Sequence, residues 1–434
     1  MTDTGLFSPL ELPNRQVISN RLCKAAMEEN LSDEGQIPGQ HLFNLYRQWA
    51  AGGVGLILTG NVMVAPDALT GPGGVVLEDD SNLEHFKTWA KAGRGLDGAG
   101  ADGDDSDIQL WMQINHPGRQ VYAAMGEQAY SPSDIQLDLG DLSKLFAKPR
   151  ALSQAEIEKM IERFANTAVL AEQAGFTGVQ VHAAHGYLIS QFLSPRTNRR
   201  EDQWGGSLEN RSRILREIVK AIRQRVSPEF CVAVKLNSAD FQKGGFDQED
   251  AKQVVQQLNE LSVDLVELSG GSYESPAMQG GSAQTEEQQN TSTQRREAFF
   301  VEFARDIATV AKMPIMVTGG ILRRQVAEDA LQKDAAGFGV EMLGIARGMA
   351  FKPDLPNVWK QGEYEVSLPQ IEWKKKMLAA LAVMSVTKAQ LHRMAAGKKP
   401  KNGINPLFAL IRDRIRTKLR TKRYRRWREQ TASR

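Results

Sequence analysis

Cysteine is scarce in this chain: Cys23 and Cys231 are the only two among 434 residues. Two thiols cannot supply the ligands of a protein-bound iron–sulfur cluster or build a disulfide framework, and they point to a reducing, cytoplasmic setting. No run of roughly 18 apolar residues occurs, so no integral membrane segment is expected. The opening MTDTGLFSPLELPNR has no basic stretch leading into an apolar one, so no secretory signal is expected. Histidine is also sparse, with six in all. The close pair His182 and His185 could converge on zinc, but no third ligand stands at a fitting spacing, so no metal site is expected. No GxGxxG follows the first apolar segment, which weighs against an open, doubly wound dinucleotide fold.

Charge is present in plenty but unevenly placed. The net charge is +2, yet residues 412–428 carry ten Lys or Arg against one Asp, leaving the rest of the chain at about −7. A mildly acidic body thus precedes a strongly basic end. Residues 371–396 and 405–428 read as helices, and Phe408, Ile411, Ile415 and Leu419 form one apolar stripe on the second. That stripe is expected to cover the chain's own acidic body. A subunit of an oligomer, an anionic membrane or a nucleic acid are the other surfaces open to it.

Before that end, short apolar segments recur at 17–24, 54–64, 108–115, 178–182, 231–237, 264–269, 314–319 and 338–344. Helical patterns at 40–51, 153–174, 207–225, 247–261, 295–311 and 323–332 fall between them. Ser153 with Glu156 fits a capping box, Ser207 an N-cap and Gly175 a helix end. Eight strands alternating with helices predict an α/β fold, a (β/α)8 TIM barrel. The Gly/Asp-rich residues 93–107 read as a solvated loop. Residues 116–150, after the third strand, read as a long lid over the barrel mouth.

Strand alternation then locates a site. In GVQVHA at 178–183, Gln180 and His182 share one face. In IQLWMQIN at 108–115, Gln113 shares a face with Trp111 and Gln109. In CVAVKLN at 231–237, the large apolar Val232, Val234 and Leu236 face one way and Lys235 the other. Gln113, His182 and Lys235 should therefore point inward at the C-terminal ends of their strands, where barrels of this kind keep their chemistry. The bland alternative is a rim of solvated polar groups. The run HAAHGY at 182–187 offers two imidazole donors and a phenol, Tyr187, equipment for polarising a carbonyl and protonating the neighbouring carbon. VTGG at 317–320 and GIAR at 344–347 end the last two strands, and their glycines with Arg347 suit a phosphate.

The segment HAAHGYLISQFLSPRTNRREDQWGGSLENRSR at 182–213 closely resembles the signature of the Old Yellow Enzyme family of FMN-dependent NAD(P)H oxidoreductases. Weaker matches fall in the right order at LFSPLELPNRQVISNRL, VGLILTGNVMV, QINHPGR, KLNSADFQKGGF and VTGG, so that the resemblance spans roughly residues 5 to 360. It implies FMN across the mouth of the barrel, with NADH or NADPH as reductant. Ala25, Ala26 and Met27 would run along the flavin ring beside Glu28. Gly60 and Gln113 would meet its pyrimidine side, and Lys235 its N1 and O2. Gly319, Gly320, Ala346 and Arg347 would hold the phosphate. His182 and His185 would bind the oxygen of an electron-poor alkene, and Tyr187 would donate a proton. The implied reaction is ping-pong: the nicotinamide reduces the flavin at N5 and leaves, and the alkene is reduced in its place.

Three positions depart from the family pattern. Glu28 stands where Thr or Cys is usual, Lys235 replaces the commoner Arg, and Ala346 occupies a place often held by Gly. An ionised Glu28 against the flavin would oppose its reduced anion; a side chain turned away would not. The cysteine count and remaining length argue against the cluster-binding and second nucleotide domains of the dienoyl-CoA reductase subgroup. The expected organisation is an FMN-binding barrel over 1–360 and a basic helical extension over 361–434. Two rival readings are a flavin-free barrel lyase or isomerase acting on a phosphorylated substrate, and a non-catalytic flavoprotein module recruited through its tail.

Overall fold

The computed structural model describes residues 5–98, 108–269, 302–362 and 364–432. Eight parallel strands close into a barrel: β1 (Leu22–Lys24), β2 (Leu56–Leu58), β3 (Gln109–Asn115), β4 (Gly178–Ala183), β5 (Cys231–Asn237), β6 (Leu265–Ser269), β7 (Ile315–Thr318) and β8 (Met342–Ile345). Pairing of β3 with β4 and of β8 with β1 completes the ring. All eight segments expected from the sequence supply a barrel strand. Two of them divide: 17–24 also provides Val17–Ile18 of a hairpin with Leu10–Glu11, and 54–64 provides the short strand Val62–Met63, which pairs with β3.

Alternation sorts the strand residues as their chemistry requires. Val232, Val234 and Leu236 join the layer between strands and helices, while Ala233 and Cys231 face the barrel interior. The hairpin closes the N-terminal end, where Leu10, Leu12 and Ile18 pack with Cys23, Leu56, Leu58, Trp111, Met316 and Met342. This apolar plug fills the lower barrel and leaves the polar inward residues to the C-terminal half. Gly178 permits the closure, because a Cβ there would lie 2.7 Å from both Cys231 and Trp111.

The outer layer includes α1 (Gln40–Ala50), α2 (Leu83–Arg94), α3 (Gln154–Gln173), α4 (Leu188–Leu193), α5 (Leu208–Arg223), α6 (Gln248–Leu258), α7 (Arg324–Ala330), α8 (Arg347–Phe351) and α9 (Leu355–Gln361). Both arms of the Ser153–Glu156 capping box form, at 3.3 and 2.8 Å, and Ser207 caps α5 through Asn210 N. The expected loop at 93–107 is corrected at its start: α2 runs through Arg94, because Phe86, Trp89 and Ala90 bury a face that its short apolar pattern only hints at. Residues 99–107, and 295–301 of the helix expected at 295–311, lie outside the described residues. Within 116–150, the strands Ala129–Ser131 and Pro149–Ala151 pair in parallel.

Beyond the barrel lie α10 (Lys376–Ala395) and α11 (Pro406–Ala432). The first packs on α1, with Asn44 and Gln48 donating to the carbonyls of Ala395 and Met394. The second is held through polar anchors. Tyr424 donates to Pro66 O and to the Glu127 carboxylate, and Arg428 to Gly126 O. Here the sequence expectation is overturned. Phe408, Ile411, Ile415 and Leu419 do not cover the body; they are 75%, 49%, 56% and 64% exposed. The opposite face, with Ala409 and Tyr424, turns inward, since the hydrogen bonds of Tyr424 and Arg428 fix the roll of the helix. Among the described residues no helix is long and apolar enough to cross a membrane.

Candidate active site

A chain of polar side chains crosses the upper barrel on adjacent strands. Gln113 Nε2 donates to Gln180 Oε1 at 2.7 Å, and Gln180 Nε2 donates to Glu267 Oε2 at 2.7 Å. Glu267 Oε1 in turn pairs with Lys235 Nζ at 2.7 Å. Register sets the two outer links, since Gln113 lies opposite Gln180 and Lys235 opposite both His182 and Glu267, while Gln180 reaches Glu267 past the small Ala233, its partner on β5. The three inward residues expected from alternation do converge. Gln180, which shares its face with His182, and Glu267, for which alternation on β6 carries the same signal, link Gln113 to Lys235; His182 stands beside Lys235 across the β4–β5 ladder. A cation and a carboxylate both buried here need each other, because either alone would be strongly disfavoured.

The HAAHGY turn follows β4. His185 and Gly186 both take positive φ, 60° and 74°, which reverses the chain sharply above the strand. Three side chains hold this conformation: Asn237 Oδ1 accepts from His185 N, while Gln120 and Gln191 donate to the carbonyls of His185 and Gly186. The two imidazoles meet, with His182 Nε2 3.3 Å from His185 Nδ1. Ala184 N donates to His182 Nδ1 and His185 Nε2 lies 2.8 Å from Ser269 Oγ. One proton arrangement satisfies all three contacts: each neutral ring carries its proton on Nε2, His182 donating to His185 and His185 to Ser269. Burial holds His182 well below the ordinary range, helped by His185 and Lys235. Burial, and then Lys235, pulls His185 down to about 3. Both rings are therefore neutral donors near neutral pH. Tyr187 stands edge-on to His182, with ring centroids 4.9 Å apart.

On the far side of the mouth, β1 leads into Ala25, Ala26, Met27 and Glu28. Ala25 is buried and the next three are half-buried. Glu29 organises this corner, accepting from Tyr46 OH and Gly60 N and pairing with the buried Lys24. Lys24 also lies 4.1 Å from the Trp49 ring centroid. Gly60 must be glycine because a Cβ would sit 1.9 Å from Glu29 Oε2 and 2.3 Å from Met27 O. The Glu28 carboxylate is neither loose nor solvated at will: Oε1 accepts from Thr70 Oγ1 and Asn30 Nδ2. The cysteines take no part, as both are buried and Cys231 is pushed up to about 12, mainly by burial.

The ends of β7 and β8 lie side by side, with Thr318 opposite Gly344. Gly319 and Gly320 take φ of 151° and 60°, in the region that favours glycine. Thr318 Oγ1 is buried without a hydrogen-bond partner among the described residues, and no carboxylate there pairs with Arg347. An orphaned hydroxyl, two glycines and an unneutralised guanidinium, set beside the short Ala346 side chain, fit a phosphate group such as that of FMN. No cluster of metal-ligating residues occurs among the described residues.

Residues 5–365 match the model of the NADH:flavin oxidoreductase / NADH oxidase family. A Hypocrea jecorina protein named NADH-dependent flavin oxidoreductase iliE is 36% identical over 373 residues, covering 82% of this chain and 89% of its own length. The NADH oxidase of Thermoanaerobacter brockii is 33% identical over 362 residues, covering 82% of this chain and 51% of its own. Among solved structures, a 2-naphthoyl-CoA reductase complexed with 2-naphthoyl-CoA aligns with a TM-score of 0.71 at 27% identity, over 82% of this chain and 52% of that one. Morphinone reductase aligns at 0.66 and 24% identity, over 84% of this chain and 91% of that one, a likeness of fold.

Proposed function

This chain belongs to the NADH:flavin oxidoreductase / NADH oxidase family, and from that premise we propose that it reduces electron-poor alkenes activated by a carbonyl or similar group. FMN, when bound, supplies the redox chemistry, accepting two electrons from NAD(P)H and passing them to the alkene. Ala25, Ala26, Met27, Gly60, Gln113 and Lys235 would border its ring, with Glu28 at the edge. Gly319, Gly320, Ala346 and Arg347 would hold its phosphate.

The observation that carries the reading is the neutral histidine pair with Tyr187 against it. Neutral imidazoles donate hydrogen bonds without bringing a full charge, and burial with Lys235 keeps them so. A carbonyl oxygen above the pair would compete for the two Nε2 protons now given to His185 and Ser269. Drawing electron density to that oxygen opens Cβ to reduction and leaves Cα in need of a proton. Tyr187 would deliver it, and solvent would restore the phenol.

The test separates the two half-reactions. NADH added anaerobically should bleach the flavin of both the native protein and Tyr187→Phe. A panel of enones, nitroalkenes and unsaturated acyl thioesters, the last prompted by the naphthoyl-CoA reductase likeness, should then restore the native colour. Tyr187→Phe should slow only that second step, by about 10²–10⁴-fold for the loss of a general acid. Failure of every compound in the panel to reoxidise the flavin would remove the proposal.

A further inference from the structure

The outer face of α11 is built the wrong way round for a helix that serves only its own barrel. Its inward face carries Asp413, Arg416 and Arg420 along with Ala409 and Tyr424; it is held by hydrogen bonds and, near its end, by Tyr424 and Trp427 packing with Met63, Leu69 and Met125. Its outward face carries Phe408, Ile411, Ile415 and Leu419 in one exposed line, with Leu407 beside it. Around and beyond that line stand seven exposed basic side chains: Arg412, Arg414, Lys418, Lys422, Arg423, Arg425 and Arg426. A contiguous apolar stripe on a solvent face marks a contact surface, and a basic border selects what it contacts.

We propose that α11 is a docking face for an anionic lipid bilayer, lying flat on it with the stripe in the acyl boundary and the basic residues among headgroups. At 27 residues the helix is about 40 Å long, ample for interfacial binding without spanning the bilayer. Charge complementarity decides the occupant. Two copies meeting through this face would bring two strongly basic helices together. A nucleic acid would meet the cations but leave the apolar stripe without a partner. The anchors of α11 at Pro66, Gly126 and Glu127 lie on segments that follow β2 and β3. Docking would therefore bring the rim of the barrel mouth, rather than its plugged end, to the membrane. The proposal does not depend on which alkene is reduced.

Co-sedimentation of the full-length flavoprotein with vesicles tests it. Binding is expected to vesicles of phosphatidylcholine with phosphatidylglycerol, to weaken in high salt, and to be slight with phosphatidylcholine alone. The double variant Phe408→Ser/Ile415→Ser should lose about tenfold or more in vesicle affinity, while flavin absorbance, melting temperature and bleaching by NADH stay unchanged. Lys418→Glu/Lys422→Glu should lose binding through charge alone. Absence of binding to the anionic vesicles, or equal binding by the serine variant, would overturn the proposal. So would a dimer in light scattering that the serine variant dissolves while vesicles remain unbound, which would assign the stripe to a second copy.

Discussion

At Lys235 the decisive neighbour is Glu267, 2.7 Å away and equally buried. In the proposed flavin site a lone lysine here would present a full positive charge to the ring edge; a lysine tied to a carboxylate would present much less. Glu267→Gln keeps the hydrogen-bonding shape toward Gln180 but strands the cation. Breaking a buried ion pair from one side costs about 3–5 kcal/mol, so the urea midpoint of the holoprotein should fall accordingly. The flavin midpoint potential should move positive, and Lys235→Met should move it negative. An unchanged potential in both variants would show that the pair does not face the flavin. The alternation that aims Lys235 inward also aims Glu267 inward, since Val266 and Leu268 join the outer layer. What no single strand reveals is the register between strands, and that register makes the two residues partners.

At the scale of the element, α11 shows how a helical stripe can be read correctly and assigned wrongly. The spacing of Phe408, Ile411, Ile415 and Leu419 specifies a common face, but not what that face meets. Its roll is set by Tyr424, buried at the other side and donating to Glu127, whose carboxyl burial holds above the usual range. Tyr424→Phe removes that donor and leaves Glu127 under-satisfied in a buried place. The expected cost is about 1–3 kcal/mol. It should appear as a lower melting temperature and faster proteolysis within 396–434, with flavin still bound; unaltered proteolysis would show that the anchor lies elsewhere. The other elements were more legible. Capped helices such as α3 and α5 announce their starts by local hydrogen bonding, which sequence carries directly. The helix α2 is hard to read from sequence because its buried face is short and runs straight into a glycine-rich stretch.

For the whole molecule, the neutral histidine pair makes stability depend on pH. The unfolded imidazoles ionise near 6.5, whereas in the fold His182 lies well below that and His185 at about 3. The unfolded chain therefore takes up protons first, and folding stability falls as pH drops from about 6.5 toward 3. Between pH 7 and pH 5 the loss from His185 should be about 2 kcal/mol, and His182 adds to it in the same direction. Urea midpoints across this range should fall less steeply for His182→Asn/His185→Asn than for the native chain; parallel slopes would refute the assignment. The sequence by itself determined the eight-fold alternation, the inward faces of β3, β4 and β5, and the helix caps, because each depends on residues close together along the chain. Only the closed barrel decided that Gln113, Gln180, Glu267 and Lys235 form one chain, that His185 turns to Ser269, and that the apolar stripe of α11 looks outward. Those relations join residues dozens to hundreds of positions apart, and they exist only once the strands pair and the last helix finds its anchors.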